Sequence, residues 1–133
     1  MVDALLIGPE KGIRESAEKA GVDLNGIEII HAEDDDTASC KGVEALRSGR
    51  ADVIMKGLVA TSSFLHAILD REKGIRGPGK LSHVAAFEIP SYPKLLLLTD
   101  AAMNIAPDFD MKVGMLHNAL IVCRALGIDH PKT

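Results

Sequence analysis

Three short apolar runs, Asp3 to Gly8 (DALLIG), Gly26 to His31 (GIEIIH) and Ala51 to Met55 (ADVIM), alternate with segments of helical spacing. This alternation constrains the fold more than any other feature, because strands joined by helical crossovers form a parallel sheet covered by helices. Pro9 suits the first turn of a helix, where a missing N–H costs least. Ile13, Ala17 and Ala20 recur at helical spacing, and Gly21 supplies a stop. Asp34, Asp35 and Asp36 place negative charge at the start of the next helix, which complements its dipole. That helix turns Val43 and Leu46 inward and closes with Arg47, Ser48 and Gly49. After the third run, Phe64, Leu65, Ile68 and Leu69 make one apolar face, and Arg71 to Lys73 carry that helix to Gly74. Residues 1–74 therefore read β-α-β-α-β-α, the part of a first lobe.

The pattern changes at Gly74 to Gly79 (GIRGPG), a glycine- and proline-rich connection, and a hinge is expected over residues 75–80. Two strands come next, Leu81 to Ile89 and Lys94 to Thr99, joined by Pro90-Ser91-Tyr92-Pro93. So short a link implies an antiparallel hairpin. A loop from Asp100 to Asp108 then leads into a long helix with Val113, Leu116, Leu120 and Cys123 at heptad-like spacing. Gly127 ends it, and Pro131 blocks continuation. Residues 81–133 thus read as a hairpin and a long helix opening a second lobe. No internal repeat or low-complexity tract is visible.

The 133 residues are enough to bury a core, and 47% hydrophobic with 26% charged is ordinary for a globular chain. The longest apolar stretch, around Leu95 to Leu98, is too short to span a membrane. Met1-Val2-Asp3 leads straight into a strand pattern with no signal peptide, so a cytoplasmic location is expected. Cys40 and Cys123 lie in helical patterns without metal-ligand spacing and are expected as buried free thiols. A net charge of −4 gives no global field for nucleic acid or an anionic membrane. An anionic ligand must be held by a local site.

Three loops could form one, since ligands gather at the carboxyl ends of strands in open α/β sheets. In the first, Lys56 is a mobile charge, Gly57 admits a ligand to the backbone, and Thr61 is a hydroxyl near a helix start. These could hold a phosphate or a carboxylate, or form a capped helix beside a solvated lysine. The second is Leu81-Ser82-His83, whose neighbouring side chains point to opposite strand faces, so that one of Ser82 and His83 faces a cleft, or the histidine is simply structural or solvated. The third is Thr99 to Pro107, where Asp100 and Asn104 offer a carboxylate and an amide, or simply turn chemistry ahead of an N-cap at Asp108. No metal spacing or dinucleotide glycine fingerprint is present, and His31, His66, His117 and His130 are scattered.

With their flanks, these loops resemble a known family. Ala51-Asp52-Val53-Ile54-Met55-Lys56-Gly57-Leu58-Val59, continuing to Thr61 and Phe64-Leu65, is similar to the central segment of phosphate butyryltransferases. Leu81-Ser82-His83-Val84 and Thr99-Asp100-Ala101-Ala102-Met103-Asn104-Ile105-Ala106-Pro107 resemble two further motifs of the phosphate acetyl/butyryltransferase family, in the same order. The segments LLIGPEK, GVDL, GIEII and ALGIDHPK extend the likeness from about Ala4 to Lys132.

The resemblance implies transfer of a short- or branched-chain acyl group between CoA and inorganic phosphate, with both as substrates and no cofactor. It implies the α/β/α sandwich of the isocitrate and isopropylmalate dehydrogenases, a cleft between two lobes, and homo-oligomers. By motif, Lys56, Asp100 and Asn104 would be catalytic, and Gly57, Thr61, Ser82 and His83 would bind substrate. Ala60 stands where members often carry His or Ser. Family enzymes are more than twice as long, so the likeness is to an incomplete fold, lacking a first strand-helix unit and the half of the enzyme beyond Lys132. Weak or absent turnover is expected of the isolated chain. The alternatives are a non-catalytic ligand-binding or assembly module, or a subunit completed by another chain, since open sheet edges invite pairing.

Overall fold

A computed structural model describes residues 3–132. Its elements are β1 (Leu5–Gly8), α1 (Glu10–Ala20), β2 (Glu28–His31), α2 (Asp35–Arg47), α3 (Thr61–Leu69), β3 (Ala85–Phe87), β4 (Leu96–Leu98) and α4 (Phe109–Ala125). They form two compact units that divide between Gly77 and Pro78. The fold class is mixed α/β, with a small parallel sheet in the first unit and an antiparallel hairpin in the second.

In the first unit β1 and β2 pair in parallel, from Leu5 opposite Glu28 to Gly8 opposite His31. Pro9 sits just before α1, and its carbonyl accepts from the Ile13 N–H at 3.0 Å. Gly21, at φ 66°, closes that helix by a left-handed turn in which the Val22 N–H reaches the Ala17 carbonyl at 2.9 Å. The Asp34 carboxylate caps α2 by accepting from the Thr37 N–H at 2.7 Å, which also holds its pKa below the ordinary aspartate value. The buried side of α2 is made of small residues, Ala38, Ser39, Gly42, Val43 and Ala45. At Gly42 a Cβ would come within 2.8 Å of Ile54 Cδ1, so the missing side chain lets Ile54 pack against the helix.

Two expectations for this unit are corrected. Ala51 to Met55 is not a strand: it makes no ladder pairing, and the parallel sheet among the described residues has two strands. Only Ala51 and Ile54 are half-buried, whereas Val53 and Met55 are 79% and 90% exposed. Apolar composition gave the segment a strand's pattern, but a strand also needs a partner for its backbone groups. Second, α3 ends at Leu69 rather than running through Arg71 to Lys73. Asp70 leaves the helical region at ψ 135°, and its Oδ1 accepts from the Glu72 and Lys73 N–H groups at 2.9 and 2.7 Å. That side-chain turn competes with helix continuation.

In the second unit β3 and β4 pair antiparallel, Ala85 opposite Leu98, Ala86 opposite Leu97 and Phe87 opposite Leu96. The hairpin is as expected in direction, but each strand is three residues long and the connection correspondingly longer. Pro90 and Pro93 cannot donate to a ladder, and the Tyr92 N–H turns back to the Ile89 carbonyl at 2.9 Å. Helix α4 is capped by Asp108, whose carboxylate accepts from the Met111 N–H at 2.8 Å. Its buried stripe is Met115, Ala119 and Cys123, while Val113 and Leu116 are exposed, so the expected inward face is turned by part of a helical turn. The neighbouring positions Gly114 and Asn118 touch Lys80 and Ser82, and these contacts fix which face of α4 is covered. Cys123 is buried, but Cys40 is exposed on α2, contrary to expectation. No helix among the described residues is long and apolar enough to cross a membrane.

Candidate functional site

In the first unit the candidate residues occupy the loop between Ile54 and α3. Lys56 folds back over this loop, its Nζ donating to the Val59 carbonyl at 2.7 Å and the Gly57 carbonyl at 3.1 Å. An ammonium has three donors, so one remains for a ligand. The far end of the loop is pinned by a residue whose sequence context suggested only helix-dipole chemistry. Asp35, in the first turn of α2, accepts from the Ala60 N–H through Oδ2 at 2.8 Å. Thr61 opens α3 and is exposed, as is Gly57, where a Cβ would meet nothing within 4 Å.

In the second unit the structure brings His83 and Asn104 to the Asp100 carboxylate, while the neighbouring Ser82 is held by a different residue. Asp100 Oδ1 accepts from the N–H groups of Ala102 and Met103, each at 2.9 Å. Its Oδ2 accepts from Asn104 Nδ2 at 2.6 Å and from the His83 N–H at 3.2 Å. Asn104 Nδ2 also donates to the Leu81 carbonyl at 3.0 Å. The Asp100 side chain therefore ties the loop after β4 to the segment that precedes β3. Those donors favour the ionised form, the Ala102 and Met103 N–H groups most and then Asn104 and His83, and hold its carboxyl far below the usual carboxylate range. The group is a fixed anion at neutral pH and a poor proton acceptor. His83 contributes its backbone N–H, and the residue is exposed.

Sequence reasoning missed Asn118. From α4 its Nδ2 donates to the Lys80 carbonyl and to Ser82 Oγ, both at 2.8 Å. A polar residue one position before the buried Ala119 was the available signal. It was masked by reading the helix for apolar spacing alone. No cluster of three or more His, Cys, Asp or Glu suited to a metal ion occurs among the described residues.

Comparison with known proteins places both loops inside one family match. The family model described as "Phosphate acetyl/butaryl transferase" matches residues 36–133. The chain is 43% identical over 132 residues to the phosphate butyryltransferase of Clostridium beijerinckii, covering 99% of this chain and 44% of that protein. It is 40% identical over 128 residues to the probable phosphate butyryltransferase of Bacillus subtilis, covering 96% and 42%. Among solved structures it is similar to a branched-chain phosphotransacylase from Enterococcus faecalis V583, with a TM-score of 0.76 and 27% identity over 98% of this chain and 54% of that one. The chain spans less than half the length of the curated relatives it matches.

Proposed function

We propose that this chain, which belongs to the phosphate acetyl/butyryl transferase family, carries residues for moving a short- or branched-chain acyl group between CoA and inorganic phosphate. The supporting observation is the ordered segment Lys80 to His83, held by Asp100, Asn104 and Asn118 within the family match. In the reaction a phosphate oxygen attacks the thioester carbonyl carbon, the C–S bond breaks, and CoA departs as a thiolate that takes up a proton. The attacker, the developing oxyanion and the leaving group are all anionic. Fixed donors and positive charge therefore lower the barrier.

Each candidate then has a part. The free donor of Lys56 and the approach at Gly57 and Thr61 serve anionic oxygens. The Ser82 hydroxyl donates to phosphate, and the exposed His83 imidazole passes a proton to the departing thiolate. Asp100 and Asn104 spend these hydrogen bonds within the loop and on the segment before β3, so their part is to position the Ser82 segment. A cytoplasmic location and a homo-oligomer belong to the same reading.

A second reading, an assembly module, draws on the exposed apolar side chains of Val53, Met55 and Leu58. The two are separated by placing this chain in the phosphate butyryltransferase of Clostridium beijerinckii in exchange for the aligned segment. CoA release from butyryl-CoA that requires phosphate supports the acyl-transfer reading. A folded exchanged enzyme that releases no CoA favours assembly.

A further inference from the structure

The two asparagines that hold the Ser82 segment have their amide orientation decided by their partners. A backbone carbonyl and a carboxylate accept hydrogen bonds and donate none, so the atom facing them must be the amide nitrogen. For Asn118 that partner is the Lys80 carbonyl, 2.8 Å from Nδ2. An NH2 group has two hydrogens. One goes to Lys80, and the other is directed at Ser82 Oγ, also at 2.8 Å. Ser82 is thereby committed to accepting from Asn118, and its single hydroxyl hydrogen must point to something else. Ser82 is half-buried, and no other described group takes that hydrogen.

The backbone of α4 is shaped for this contact. Gly114, one turn before Asn118, leaves room for Lys80: a Cβ there would lie 3.0 and 3.2 Å from Lys80 Cγ and Cβ. In the same segment, Asn104 fixes the Leu81 carbonyl and Asp100 fixes the His83 N–H. Each of residues 80–83 is thus held by a side chain, and the Ser82 hydroxyl hydrogen is left unspent by these bonds.

We infer that Asn118 is a positioning residue that turns the Ser82 hydroxyl into a dedicated donor to an anionic oxygen of the phosphate class. This rests on the acyl-transfer reading and adds to it the residue that sets the role of Ser82. Without Asn118 the hydroxyl rotor is free to donate elsewhere, and the ligand loses a directed, charge-assisted hydrogen bond.

The test is a titration of the 133-residue chain with inorganic phosphate, observed by amide NMR at constant ionic strength with chloride as the control anion. Phosphate should shift the Ser82 and His83 amides and the side-chain NH2 of Asn118. Ser82→Ala and Asn118→Ala should each weaken the apparent Kd by about tenfold, and the double variant should be no weaker than either. A merely structural Asn118 would instead weaken binding equally with and without the Ser82 hydroxyl, and that result would overturn the inference. So would a wild-type chain whose Ser82 segment ignores phosphate. If Asn118→Ala does not fold, Ser82→Ala decides, since it leaves the bond from Asn118 to Lys80 in place: an unchanged Kd contradicts the inference. Phosphate-dependent CoA release by the exchanged enzyme, with no coupling between Ser82 and Asn118, would defeat this inference alone; absence of release would defeat the acyl-transfer reading.

Discussion

Asn104 donates its side-chain amide to Asp100 Oδ2 at 2.6 Å, and the same nitrogen reaches the Leu81 carbonyl at 3.0 Å. One amide thus joins the loop after β4 to the segment before β3. Asp100→Asn replaces a carboxylate that accepts four hydrogen bonds with a group that must present hydrogens on one side. In the exchanged enzyme, phosphate-dependent turnover should fall about tenfold or more. Steady-state kinetics checks this, and unchanged turnover would show that the loop does not need its anion.

The same carboxylate gives stability a defined pH dependence. Its folded pKa is depressed, so its contribution is whole above the unfolded aspartate value of about 4 and is lost as pH falls from there toward the lower native value. Urea denaturation at stepped pH should show stability falling on the acid side of that value. Asp100→Asn should flatten this part of the slope, and an identical slope in both proteins would contradict the assignment.

Lys56 lies curled on its own loop through the Val59 and Gly57 carbonyls. Lys56→Ala should raise the KM for phosphate in the exchanged enzyme by about tenfold, through loss of a charged donor. Lys56→Arg should restore only part of it, because a planar guanidinium cannot follow the same curl. Equal KM values in all three would place the anion elsewhere.

Gly74 tests the fold of the first unit rather than the chemistry. A Cβ there would overlap the carbonyl oxygens of both Asp70 and Ile68, and backbone cannot yield as a side-chain tip does. Gly74→Ala should cost about 1–3 kcal/mol in denaturant unfolding of the chain. A neutral result would mean that the turn after Asp70 relaxes freely.

Strand and helix order was legible where one residue type decides the backbone. Gly21 stops α1, Asp34 and Asp108 cap α2 and α4, and β1 and β2 carry the apolar runs that pair them. What was not legible depended on partners distant in sequence. Ala51 to Met55 has a strand's composition and no ladder, and Asp70 ends α3 by a local turn that the helix-forming residues Arg71 to Lys73 conceal. The candidate loops were visible as motifs. Their wiring was not, because the bonds from Asp35 to Ala60 and from Asn118 to Ser82 join residues 25 and 36 positions apart.

In the proposed reaction the acyl group passes to phosphate and not to water. The most direct measurement is butyryl phosphate formed from butyryl-CoA and phosphate by the exchanged enzyme, trapped as a hydroxamate and counted against CoA. The expected result is one acyl phosphate for each CoA, rising with phosphate. CoA appearing without acyl phosphate, or neither product from a folded enzyme, would contradict it.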